Sequence, residues 1–123
     1  MENIKQLTET IQREDNLNIV EYDDIPSHGN GRHNYIIRHK ESGAILGEIH
    51  FQDGGRNTEG VRDGVLDQDL LEIVRHRLQC FQQGEFPSRE GALAITHIEE
   101  ALLWLNKRKE DRKYRGVLGK DLK

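Results

Sequence analysis

The stretch Ser88–Arg115, SREGALAITHIEEALLWLNKRKEDRKYR, decides the fold. Ser88 is a favourable N-cap, Pro87 precedes it, and Arg89 and Glu90 open a first turn. Ile95, Ile98, Leu102 and Leu105 recur at helical spacing, with Ala94 and Ala101 beside them. Leu103 and Trp104 lie off that stripe, so the apolar face is wider than one neighbouring helix covers. From Asn106 to Arg115 the character changes: six of the ten residues are Lys or Arg, and only Tyr114 is not strongly polar. One long helix is expected, with a first half built for burial and a second half suited to an anion or to solvent.

Upstream, Leu70, Leu71, Val74, Leu78 and Phe81 form a second helical pattern, with Asp67 as its expected cap and Gly84 as its stop. The link through Glu85, Phe86 and Pro87 is short, so the two helices are expected to pack as an antiparallel hairpin. The N-terminal half reads differently. Residues 2–14 carry Ile4, Leu7 and Ile11 at spacing suited to a short amphipathic helix. Strands are expected over Asn16–Tyr22, His33–His39 and Ala44–Phe51, with a turn at Glu41, Ser42 and Gly43 between the last two. In the last strand Ile45, Gly47, Ile49 and Phe51 should share one face. The fold class is therefore α+β: a small N-terminal antiparallel sheet followed by a long C-terminal antiparallel helical hairpin. The expected organisation is a single domain, with an N-terminal helix and β layer over 1–56, the hairpin over 62–115 and a basic tail over 116–123.

Only 34% of the 123 residues are hydrophobic and 33% are charged, so the core is small and a partner subunit is expected to cover part of the surface. The formal charge of −4 argues against a general nucleic-acid coat. It is unevenly placed: residues 106–123 hold eight Lys/Arg against three Asp/Glu. A single cysteine, Cys80, excludes an intrachain disulfide framework, and its apolar neighbours suggest a buried thiol. No leader and no membrane-length apolar run is visible, so a soluble cytoplasmic protein is expected.

Several groups have two readings. The glycine turn Gly54-Gly55-Arg56 either offers N–H groups and a guanidinium to phosphate or simply connects elements; it lacks the Gly-Lys-Ser/Thr ending of a nucleotide-hydrolysing loop. His97, Glu99 and Glu100 make a polar ridge without metal-ligand spacing. Arg108, Arg112 and Arg115 share a helical face that is either solvated or anion-binding. Phe81 and Phe86 border the interhelical turn as core plugs or as stacking platforms. No nucleophile with its base is marked, and no catalytic, metal or cofactor site is assigned.

Three segments together carry a resemblance: HNYIIRHK with the strand and GGRNTEGV loop that follow it, DGVLDQDLLEIVRHRLQCFQQGEFPSRE, and ALAITHIEEALLWLNKRKEDRKYRGVLGK. Over roughly residues 33–120 the chain resembles the phage Thoeris anti-defence proteins of the first type. Their helical hairpin also occurs in the phage anti-CBASS sponge for cyclic oligonucleotides. The resemblance implies a non-enzymatic role in the host cytoplasm: binding glycocyclic ADP-ribose isomers made by TIR-domain proteins and holding them intact. It implies a homo-oligomer, a hexamer built from dimers, and in some relatives cyclic trinucleotides at separate sites. By position, Phe81 would stack on the adenine, Arg108 and Arg112 would meet the ligand, and Arg56 would line the second site. Where the family pattern reads Ser-Arg-Glu-Asn, this chain reads Ser88-Arg89-Glu90-Gly91. Gly91 lacks the side-chain amide of that ligand-contacting position, which bears on affinity and isomer preference rather than on fold. A membrane or a nucleic-acid polymer is not an implied partner. Two rivals stand beside this reading: an enzyme that degrades a cyclic nucleotide, and a small phage regulator that places its basic tail on nucleic acid.

One consequence is geometric. The second helix rises about 1.5 Å per residue, so Ser88 and Arg108 are roughly 30 Å apart. Phe81, beside the turn, is expected to share a ligand with Arg108 only if the arginine comes from a neighbouring protomer.

Overall fold

The computed structural model describes residues 3–12, 17–55, 59–60, 63–114 and 116. The chain divides into two compact units, Met1–Gly64 and Val65–Lys123, and each is taken by itself.

The first unit is a four-stranded antiparallel sheet in the order β1-β2-β3-β4. Its strands are β1 (Ile4–Gln6), β2 (Asn18–Asp23), β3 (Asn34–His39) and β4 (Ile45–His50). The expected N-terminal helix is absent among the described residues; Ile4–Gln6 pairs with β2 instead, Lys5 opposite Tyr22. The physical reason is length. A helix of this size is marginal in water, because nucleation is costly and few bonds follow. The open edge of β2 offers a complete ladder, extended by Leu7 N–H to the Val20 carbonyl and Asp24 N–H to the Asn3 carbonyl, both at 2.8 Å.

One sheet face is aromatic. Tyr22 lies opposite Tyr35, with centroids 6.2 Å apart, and Tyr35 meets Phe51 edge-on at 5.6 Å. On the other face Ile36, the buried hydrophobe among the described residues, sits between Glu21 and Glu48. A register shift falls between Ile37 and Arg38, where Ile37 faces Gly47 but Arg38 faces Ile45. This bulge moves Ile45 off the face of Gly47 and Ile49, against the strict alternation expected from sequence. The β3–β4 turn forms as expected. Gly43 takes a left-handed φ of 74°, and the His39 Nδ1 accepts the N–H groups of Glu41 and Ser42.

β1 is held at its end by charge. Asp24 receives both the Lys5 ammonium and the Arg32 Nε, the latter at 2.8 Å. These partners, Lys5 first, hold the Asp24 carboxyl below the ordinary aspartate range, and Asp24 in turn raises Lys5. A depressed carboxylate contributes stability that is present above the unfolded pKa, about 3.9, and is lost as pH falls through the native value. The Lys5 contribution is lost only at the alkaline end. Acidification should therefore free β1 before the β2–β4 sheet opens. Faster amide exchange at Ile4–Gln6 below about pH 4, abolished in Asp24→Asn, is the expected result. Equal acid sensitivity in both chains would contradict it.

The second unit is the expected hairpin of α1 (Asp67–Gln82) and α2 (Arg89–Tyr114). Leu66, not Asp67, is the N-cap of α1. Asp69 accepts the Leu66 N–H at 2.8 Å and closes the first turn from inside. Ser88 caps α2 as expected, its Oγ accepting the Gly91 N–H at 2.9 Å. Both Nε and a terminal nitrogen of Arg75 reach Glu99 Oε2, at 2.9 and 2.7 Å. Gln82 lies against Ser88, so the helices run antiparallel. Leu70, Leu71 and Leu78 on α1 and Ile95, Ile98, Leu102 and Leu105 on α2 are the half-covered apolar residues of the pair.

Candidate functional site

The hairpin does not close a core of its own: no residue of α1 or α2 is buried. Leu103 and Trp104 are each 68% exposed, as their position off the stripe requires. With Glu100 and Lys107 they line an open apolar groove, and the Lys107 ammonium stands 5.3 Å from the Trp104 ring. Val74 and Phe81, counted with the apolar face of α1 in the sequence, are exposed, as is Phe86. Cys80 is also exposed, contrary to the buried thiol expected from its neighbours; Sγ lies 3.7 Å from His76 Nε2.

The turn end of the hairpin is built by a side-chain latch. The Gln82 amide donates to the Ser88 carbonyl and accepts the Ser88 N–H, both at 2.8 Å. This two-bond ring does the work of a backbone turn. Gly84 ends α1 without a left-handed cap, since it is not among the glycines of positive φ. Gly91 makes room for the latch: a Cβ there would stand 2.9 Å from Gln82 Oε1 and 2.9 Å from Ser88 Oγ. Phe81 precedes Gln82 directly, so Phe81 and Gly91 belong to one end of the hairpin.

Arg108 and Arg112 belong to the other end. With Arg75 opposite Glu99, the first residue of α1 falls opposite about residue 107, and the last seven or so residues of α2 run on roughly 10 Å beyond it. Arg108 is exposed and has no ion-pair partner among the described residues; Arg112 is half-covered. The cations Arg112 and Lys113 in the last turn also suit the negative end of the helix dipole. The structure thus brings Phe81 and Gly91 together and keeps both from Arg108 and Arg112 of the same chain. Arg56 lies outside the described residues, as do Arg115 and most of the basic tail. The loop that carries Arg56 is pinned at its ends, with the Gly64 N–H donating to Gln52 Oε1 at 2.9 Å.

The polar clusters do not form a relay. Ser27 Oγ and, at 3.4 Å, Asp53 Oδ1 both meet the same nitrogen of His33, Nε2. A serine–histidine–acid relay needs the two partners on different ring nitrogens, one accepting and one donating. In the ridge on α2, Glu99 is engaged by Arg75, and His97 Nδ1 is 3.7 Å from Glu100. The sequence reading missed both Arg75 and Gln82, whose partners sit 24 and 6 residues away and leave no local signal.

Residues 44–110 match the family described as Acb2/Tad1, hairpin domain, from the start of β4 into the basic half of α2. The chain is also similar to "Thoeris anti-defense 1" of Bacillus phage SBSphiJ7, 44% identical over 92 residues that make up 75% of this chain and 64% of that protein. This chain thus spans less than two thirds of that relative's length. The matched segment holds both helices' packing residues, the latch and Phe81, and on that footing the chain belongs to the Acb2/Tad1 hairpin family, as a member of its Thoeris anti-defense 1 type.

Proposed function

We propose that this protein is a phage anti-Thoeris protein of the host cytoplasm that binds glycocyclic ADP-ribose signals of TIR-domain proteins and holds them without degrading them. The ligand occupies a composite site. Phe81 and the Gly91 turn come from one protomer; Arg108 and Arg112 come from a neighbour whose hairpin runs the opposite way. The observation that carries this reading is the distance along α2 between the turn, where Phe81 is exposed, and the overhanging end, where Arg108 has no partner among the described residues. Arg56 is assigned to a separate site for cyclic trinucleotides, and the assembly to a dimer-based hexamer.

Magnitudes favour a shared pocket. Stacking one base on an aromatic contributes about 1–3 kcal/mol. Each charge-assisted hydrogen bond adds roughly 1.5–3 kcal/mol. Nanomolar affinity needs about 12 kcal/mol after the cost of immobilising the ligand. One exposed helix face falls short of that, and a pocket closed from both sides reaches it.

Calorimetry with each nucleotide, followed by heating of the complex and mass analysis of what is released, tests the proposal. Tight binding and an unchanged ligand are expected; a product of altered mass would replace the sponge with an enzyme. Assembly is tested separately. Trp104→Ala should lower the particle mass in light scattering, because the exposed indole and Leu103 offer an apolar surface to a second copy. A monomer for the unmutated chain at micromolar concentration would remove the composite site.

A further inference from the structure

Arg77 is one turn before Phe81 on α1, and its guanidinium carbon lies 4.9 Å from the centre of the Phe81 ring. The contact is exposed: Phe81 is 53% accessible and Arg77 is open to solvent. The charge of Arg77 is otherwise unspent. Ile73, Val74, Cys80 and Phe81 occupy the four helical positions from which an acid would reach it, so no pair forms along the helix. Among the described residues Arg77 makes no ion pair at all. Arg75, two residues earlier, shows the contrast, since both of its reaching nitrogens are spent on Glu99. An arginine with no acid, resting on a half-exposed aromatic, is a cation left available to an incoming anion.

We infer that Arg77 is an additional ligand-binding residue, which pairs with a phosphate of the nucleotide whose base stacks on Phe81. The inference rests on the binding reading above and adds to it a residue on the same chain as the aromatic. A base and its phosphate are joined by one sugar, so a cation one helical turn from the stacking ring is within reach of that phosphate. In the free protein the guanidinium rests against the ring, which stays half exposed. On binding, the base takes the ring face and the planar fork turns to the phosphate oxygens, which it can meet with two parallel N–H donors. The trade exchanges a weak cation–π contact for a charge-assisted pair, so the affinity gain depends on salt.

Titration calorimetry of the full chain with glycocyclic ADP-ribose at low and high salt tests this. Arg77→Ala should weaken binding by about tenfold or more and flatten the salt dependence. Arg77→Gln keeps the helix propensity but removes the charge, and should do the same. Arg77→Lys should restore the salt dependence with only part of the affinity, having no fork. Circular dichroism should show unchanged helix in all three. Binding within twofold of the unmutated chain for Arg77→Ala and Arg77→Gln, while Phe81→Ala loses it, would overturn the inference and leave the binding reading standing. Weaker binding with an unaltered salt dependence would also overturn it, reducing Arg77 to a support for the ring. Failure of the unmutated chain to bind would overturn both.

Discussion

Mixing a Phe81→Ala chain with an Arg108→Ala chain is expected to restore tight ligand binding that neither chain shows alone. Loss of the stacking platform should cost about 1–3 kcal/mol. Truncating a charge-assisted contact should cost about 1.5–3 kcal/mol. Each parent should therefore bind some ten- to a hundredfold more weakly than the unmutated protein. The hairpin geometry explains why mixing helps. Phe81 is in the last turn of α1, and Arg108 is on the part of α2 that runs past the start of α1. A site using both draws them from different chains, so random reassortment of an equal mixture leaves about a quarter of the sites with neither substitution. Calorimetry should report that fraction as tight sites. Binding no better than that of the parents, after subunit exchange has been confirmed, would mean that the two residues do not share a ligand.

The largest effect on stability is expected at Gly64. An added methyl there would lie 2.5 Å from the Phe51 carbonyl carbon, 2.6 Å from the His50 oxygen and 2.7 Å from the Gln52 nitrogen. All three are backbone atoms at the end of β4, so no rotamer change relieves the clash. Gly64→Ala should also strain the hydrogen bond from its own N–H to Gln52 Oε1. Forcing a methyl into such a contact costs about 1–3 kcal/mol, or a melting point several degrees lower for a unit of this size. Gly47→Ala is the control, since nothing lies within 4 Å of its Cβ position. A Gly64→Ala chain that melts with the Gly47→Ala chain would show that the loop end is not held as described.

The hairpin was legible in the sequence because its signals are local. The Ser88 cap, the Ile95, Ile98, Leu102 and Leu105 spacing and the short link after Gly84 each report on neighbours within a few residues. The β3–β4 turn is legible for the same reason, with Gly43 supplying the left-handed residue. What escaped depends on distant partners. Ile4, Leu7 and Ile11 suit a helix until the free edge of β2 is known. Strict alternation in β4 fails at a bulge that only the pairing with β3 reveals. In the site, an aromatic at the turn and the basic end of α2 could be marked from sequence. Whether Phe81 faced α2 or solvent could not, because helical spacing puts it within the apolar stripe of α1 and does not say which edge of that stripe α2 covers. Arg77 carries no motif or spacing signal, and its contact with the Phe81 ring is visible only in the structure.

The latch between Gln82 and Ser88 makes the order of sequence change matter. Gly91 is small because the Gln82 amide fills the space its side chain would take. A larger residue at 91 gains about 1 kcal/mol of helix propensity over glycine, yet it must push aside an amide that makes two hydrogen bonds. The amide ends a flexible side chain, so it can move, and the turn then loses its closure. If position 82 shortens first, the same substitution at 91 meets only the Ser88 hydroxyl and keeps more of its gain. The two positions are therefore epistatic, and the effect of one substitution depends on which of them is altered first. A lineage that carries glycine here is held to it by a residue at the end of the preceding helix.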